Sequence, residues 1–153
     1  MTNLELRYEV FARRSGAPSA GLPGRQPVTA DEFRDVLRRS TLGERRPVDD
    51  LERLSTMLEN SNLIVTAREP VRGLLIGISR CVTDFAYCCY CSDLAVDEAV
   101  QRLGVGKELL RLTREAAGEQ ATLLLVAAPK AKDYYPHIGM AHVEACFAFN
   151  RTR

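Results

Sequence analysis

Between Leu4 and Phe11 apolar and polar residues alternate (Leu4, Leu6, Tyr8, Val10), which predicts a half-buried strand. RRSGAPSAGLPGRQP follows, and its prolines and glycines predict a long mobile loop over about 13–28. The pattern then switches to helical spacing. Phe33, Val36 and Leu37 share one face behind Thr29, a predicted N-cap with Glu32 three residues on as its capping-box partner, and this helix ends near Ser40. GERRPVDD turns the chain into a second helix from about Asp49 to Asn60, with Leu51, Leu54 and Leu58 on one face. Three strand-like runs come next, NLIVTARE, GLLIGISRCV and AYCCYCSDLAV, and the short turns between them predict antiparallel hairpins. A glycine-bearing loop opens a helix from roughly Gly104 to Gly118. ATLLLVAA is a continuous apolar run, which predicts a strand buried on both faces. A short helix at about Lys130 to His137 and a last strand, HVEACFAF, complete the order β-α-α-β-β-β-α-β-α-β. That order predicts an α/β domain with a mixed sheet.

The length, 153 residues, suits one domain over 1–153, and 46% hydrophobic content is enough for a core. With 21 basic and 20 acidic residues the net charge is +1, so no strong field points to nucleic acid or to an anionic membrane. No apolar run approaches the roughly 20 residues of a membrane span. MTNLELRYEVF carries acids early and lacks the apolar core of a secretory signal, so a cytoplasmic location is expected. The five cysteines are an odd number, which speaks against a disulfide framework. Cys88, Cys89 and Cys91 cluster, but adjacent strand residues point to opposite faces and the only histidines are His137 and His142. The expectation is no metal, with these cysteines packed as small hydrophobes.

Chemistry concentrates after DLAV, where Gln101-x-x-Gly104-x-Gly106 opens a helix. A P-loop would need glycine at Gln101 and a hydroxyl at Glu108, and a dinucleotide fingerprint would need glycine at Leu109; both fail. Glycines there let phosphate oxygens reach backbone N–H groups at a helix N-terminus. The same spacing also serves a plain strand-to-helix turn with no ligand.

LAV followed by QRLGVG resembles the Q/R-x-x-G-x-G/A signature of the GCN5-related N-acetyltransferases (GNAT). Downstream, DYYPHIGM is similar to that family's FYxxxGF segment, with Tyr135 at its tyrosine and Gly139 at its glycine. The resemblance spans the chain and fits a small single-domain member of bacterial type. It implies a mixed, mostly antiparallel central sheet flanked by helices, with the fourth and fifth strands splayed. It also implies acetyl-CoA as acyl donor. Its pyrophosphate would lie on Gln101, Arg102, Leu103, Gly104, Val105, Gly106 and Lys107, and its pantetheine arm along Leu94, Ala95 and Val96. The acceptor implied is a primary amine of a small molecule, over the first two helices and TDFAYCCY. A non-catalytic CoA-binding or ligand-sensing module and a protein or peptide N-acetyltransferase are the alternatives, and a homodimer is left open.

Acyl transfer needs an acid for the departing thiolate, and a phenol has a pKa near that of a thiol. The resemblance puts Tyr135 in that role, with Tyr134 packing in the core or along the cofactor. Where some relatives carry a basic glutamate, this chain has Tyr90. Asp93 is the nearest carboxylate; strand alternation places it on the face opposite Tyr90 unless a bulge re-aims it. A base acting through ordered water is therefore expected. Arg45 and Arg46 are candidates for meeting an anionic acceptor. Ala127-Ala128-Pro129 and Met140 depart from the family's asparagine and aromatic at those places.

Overall fold

The computed structural model describes residues 5–15 and 27–153, so most of the predicted loop over 13–28, and Leu4, lie outside the described residues. Five strands form one sheet in chain order: β1 (Arg7–Ala12), β2 (Leu63–Arg68), β3 (Leu75–Thr83), β4 (Cys88–Val96) and β5 (Thr122–Leu125). The first four pair antiparallel, and β4 pairs with β5 in parallel.

Helices α1 (Ala30–Arg39) and α2 (Leu51–Glu59) cover one face. Thr29 caps α1 with the full capping box: its hydroxyl accepts from the Glu32 N–H, and the Glu32 carboxylate accepts from the Thr29 N–H. Asp50 caps α2, on which Leu54 and Leu58 are buried while Leu51 stays largely exposed. Phe33, Val36, Leu37, Leu54 and Leu58 pack on Ile64, Ile78 and Ala95. Helix α3 (Val105–Ala117) covers the other face through Val105, Leu109 and Leu110, against Val65, Ala67, Cys81, Cys89 and Cys91. A 3₁₀ turn at Pro129–Ala131 leads into a single helical turn, α4 (Tyr134–His137).

Two expectations are corrected. The run ATLLLVAA forms a strand of only four residues, and Thr122 and Leu124 are exposed because β5 is the sheet's edge. HVEACFAF forms no strand: every residue from Ala141 to Arg153 is exposed. An alternating segment becomes a strand only when another strand hydrogen-bonds it, and none lies beside this one among the described residues.

Candidate active site at the β4 edge

The site grows from an irregularity in β4. Arg80 faces Asp93 across the β3–β4 ladder, whereas the next residue, Cys81, faces Cys91, so Ser92 is an extra residue on β4. Such a bulge shifts the side-chain alternation by one. Asp93 therefore shares the α1–α2 face with Tyr90. It is nevertheless not available to take a proton from a substrate. Its carboxylate is fully buried and ion-paired with both Arg46 and Arg80. Arg80 lies over the Phe33 ring and also donates to the Met57 carbonyl and the Ser61 hydroxyl. Arg46 donates to the Ser92 carbonyl as well, 2.8 Å away, so the guanidinium considered for an anionic acceptor is committed to the strand; Arg45 remains exposed.

Beyond the bulge, β4 runs on alone. Strand β5 pairs only with Cys88 to Cys91, which leaves residues 92–96 without a neighbour on that side. Asp97 N–H bonds back to the Ile76 carbonyl, which sets the alternation of the antiparallel ladder. The polar backbone atoms of Ala95 thus face β3, and those of Leu94 and Val96 face the open edge. Two side chains close part of that edge. Arg46 holds the Ser92 carbonyl, and the Gln101 amide donates to the Val96 carbonyl at 2.9 Å. Leu94 is left between them with its N–H and C=O unopposed by any strand.

The loop after β4 delivers the N-terminus of α3 to this edge. Arg102 and Gly104 both have positive φ, 66° and 84°. Gly104 is the N-cap and has no side chain to offer, so no side-chain cap satisfies the first N–H groups of α3. A Cβ on Gly104 would meet nothing within 4 Å, so its need for glycine is conformational, and open space lies beside the uncapped turn. Gly106 is different. A Cβ there would sit 3.0 Å from the Tyr134 hydroxyl and 3.7 Å from Val96. Gln101, Arg102, Leu103 and Lys107 are exposed on the loop, and Val105 is buried and anchors the helix.

Tyr135 packs against the cluster of Cys89, Cys91 and Leu110, as do Leu94, Ile138 and Met140. Burial first, then Cys91 and Tyr134, push its phenol up to about 12. It is therefore protonated throughout the neutral range. Its ring meets Tyr134 edge-on with centroids 5.3 Å apart. Gly139, at φ 94°, turns the chain so that the Met140 N–H bonds to the Tyr135 carbonyl and Met140 drops into the same cluster. Cys81, Cys89 and Cys91 are buried beside it as free thiols, whereas Cys88, expected to pack with Cys89 and Cys91, is exposed because alternation along β4 turns it to the opposite face. Hydrogen bonding with Cys89 and Cys91, and then burial, push the Cys81 thiol far above its usual range. Among the described residues no group of three His, Cys, Asp or Glu side chains is placed to hold a metal, and no helix is long and apolar enough to cross a membrane.

The GNAT acetyltransferase domain family matches residues 59–139, more than half of the chain, including the open edge of β4, the glycine loop and Tyr135. The chain belongs to that family, and by class it is an acyl-CoA-dependent N-acetyltransferase. A search of curated proteins finds no match. Solved structures agree on the fold. A GNAT-family acetyltransferase from Streptococcus pneumoniae TIGR4 is 17% identical with a TM-score of 0.67, covering 97% of this chain and 98% of that one. An aminoglycoside acetyltransferase from an uncultured soil metagenomic sample, solved with sisomicin, is 20% identical with a TM-score of 0.64, covering 97% and 96%. Aminoglycoside N-acetyltransferase AAC(6')-Iy, solved with CoA, is 12% identical with a TM-score of 0.62, and each chain is covered completely.

Proposed function

We propose that this single domain transfers the acetyl group of acetyl-CoA to a primary amine of a small molecule. The observation that carries the proposal is the meeting of two unsatisfied backbone sets. The free edge of β4, the Leu94 N–H and C=O and the Val96 N–H, lies beside the uncapped first turn of α3. Buried or half-buried N–H and C=O groups need partners. An amide-bearing arm fits the first set, and a pyrophosphate fits the second, where the helix dipole also favours negative charge. Acetyl-CoA, when bound, supplies the reactive thioester carbonyl. The CoA-bound structure above supports a CoA-based donor, and the two aminoglycoside enzymes support a small-molecule amine acceptor by analogy.

On this proposal Leu94 and Val96 orient the donor through backbone hydrogen bonds, and Gly104, Val105, Gly106 and Lys107 hold its phosphates. Tyr135 donates its phenolic proton to the departing thiolate. A donor at pKa about 12 is a weak acid beside an ordinary thiol. The burial that raises the phenol would raise a thiol formed next to it as well, which keeps the two closer than their separate values suggest. Asp93 is locked between two arginines and Tyr90 is a poor base, so the amine proton leaves through solvent at the exposed Tyr90 side of β4.

Tyr135→Phe tests the acid directly. The rate of acetyl transfer should fall by roughly 10²–10⁴, the usual contribution of a positioned acid, with acetyl-CoA binding unchanged within a few-fold. A variant that turns over at the full rate removes Tyr135 from the chemistry.

A further inference from the structure

We infer that the acceptor is a monoamine carried on an aromatic body, and that Val82, Tyr90 and Leu124 form the floor on which that body rests. The inference rests on the acetyltransferase reading above and narrows its acceptor. Val82 stands opposite Tyr90 across β3 and β4, and Tyr90 stands opposite Leu124 across β4 and β5. Their chain neighbours Cys81, Cys89, Cys91, Leu123 and Leu125 pack on the α3 side, so alternation turns all three to the α1–α2 side. The helices stop short of them there. Arg80 still reaches the Met57 carbonyl and the Ser61 hydroxyl at the end of α2. Two residues on, Val82 is 48% exposed, with Tyr90 at 42% and Leu124 at 37%. Apolar residues exposed singly are ordinary, but three in register on adjacent strands make one continuous patch.

The patch ends where the sheet splits. Pairing of β5 with β4 stops at Cys91 and Leu125, one residue beyond the row. From Tyr90 to the open backbone of Leu94 is on the order of 10 Å of strand, a gap that a ring with a short alkyl arm can bridge. Leu94, Val96 and Tyr135 all pack on the α3 side. A donor lying along them leaves its thioester carbonyl open to attack from the α1–α2 side, above this row.

The chemistry of the floor selects the body. Three strands about 4.8 Å apart give a flat surface roughly 10 Å wide, and a ring laid on Tyr90 gains more than its buried area alone. No carboxylate stands in the row. Asp93, on the same face, is shared by Arg46 and Arg80, so two guanidiniums against one carboxylate leave that cluster net positive. Asp84 accepts from the N–H groups of Ala86, Tyr87 and Cys88 in its own turn. A polycationic acceptor needs several acids around it, and this floor supplies none. A monoamine sheds its one charge before attack and needs none.

Thiol release from acetyl-CoA, measured with 2-phenylethylamine, n-butylamine and the polyamine sisomicin, tests the inference. The wild type should show kcat/KM falling in that order, with 2-phenylethylamine at least about tenfold above sisomicin. Tyr90→Ala should cut the preference for 2-phenylethylamine over n-butylamine about tenfold, the scale of one lost ring contact. Leu124→Glu, on the edge strand, should move the preference toward sisomicin. A wild type that prefers sisomicin overturns the inference and leaves the acetyltransferase reading standing. So does a folded Tyr90→Ala variant with the full aromatic preference, or a Leu124→Glu variant with the wild-type ratio of sisomicin to 2-phenylethylamine. Release with none of the three also overturns it, and the acetyltransferase reading falls as well only where a wider panel of amines gives no release.

Discussion

Asp93→Asn removes one negative charge from a site that holds two guanidiniums. In the wild type the carboxylate is fully buried, and the Arg80 and Arg46 side chains are only 7% and 17% exposed. Breaking a buried ion pair from one side costs about 3–5 kcal/mol, because the remaining charge stays out of water. Arg46 sits nearer the surface and can turn outward. Arg80 cannot, held as it is under Phe33 by the Met57 carbonyl and the Ser61 hydroxyl. One stranded guanidinium, partly met by the asparagine oxygen, sets the loss near the lower end, about 3 kcal/mol. For a chain of this size that is a fall in Tm of about 6–12 °C. Urea unfolding followed by circular dichroism should show a lower midpoint with an unchanged slope, the mark of lost stability without a new denatured state. Removing all three charges, with Arg46→Met, Asp93→Leu and Arg80→Met together, should cost less than Asp93→Asn alone, since no charge is then stranded. The reasoning fails if Asp93→Asn melts like the wild type. If that variant is also inactive while binding acetyl-CoA normally, Asp93 is the proton acceptor after all.

Gly106→Val should fold, because the atom it meets is the end of the Tyr134 side chain, which can swing away; acetyl-CoA affinity should drop at least tenfold, about 1.4 kcal/mol, and calorimetry showing no change would remove the loop from the cofactor site. Asp84 accepts from the N–H groups of Tyr87, Ala86 and Cys88 in the β3–β4 turn, which holds its carboxyl down to about 2. Because the folded value is depressed, its contribution is complete above the ordinary aspartate value near 4 and disappears as the pH falls toward 2; Asp84→Ala should flatten the urea midpoint over that window, and an unaltered pH dependence would refute the assignment. Chelator should leave the melting temperature unchanged, and elemental analysis should find no stoichiometric zinc; one metal per chain would overturn the packing role of Cys81, Cys89 and Cys91.

The helices were readable from the sequence because their signals are local. Thr29 and Glu32 announce the start of α1 three residues apart, and Leu54 and Leu58 mark the buried face of α2. The existence of β1 to β5 was equally readable, but strand environment was not. A run such as TLLLVAA has the same letters whether helices cover both faces or the strand lies at an edge, and here the covering elements stop short of β5. HVEACFAF alternates as a strand would, yet a strand also needs a partner to hydrogen-bond, and the segment forms none. The loop proposed to hold the phosphates was visible in Gln101, Gly104 and Gly106 as a glycine pattern opening a helix. The separate reasons for the two glycines, a positive φ at one and the Tyr134 hydroxyl at the other, needed coordinates.

The largest departure from the sequence reading comes from one residue, Ser92. By inserting itself into β4 it turns Asp93 onto the face of Tyr90, where alternation had placed it on the other side. That turn brings Asp93 to Arg80, and the pair draws in Arg46 from the chain between α1 and α2. Arg46 then reaches the Ser92 carbonyl, so the bulge recruits the cation that covers its own exposed oxygen. Gln101 does the same for Val96 four residues on. A bare strand edge invites pairing with any other strand. Covering its two end carbonyls with side chains leaves only the Leu94 N–H and C=O and the Val96 N–H open, too short for a strand but long enough for an amide. The buried charges near this site are thus better understood as the means of keeping the β4 edge open than as participants in proton transfer.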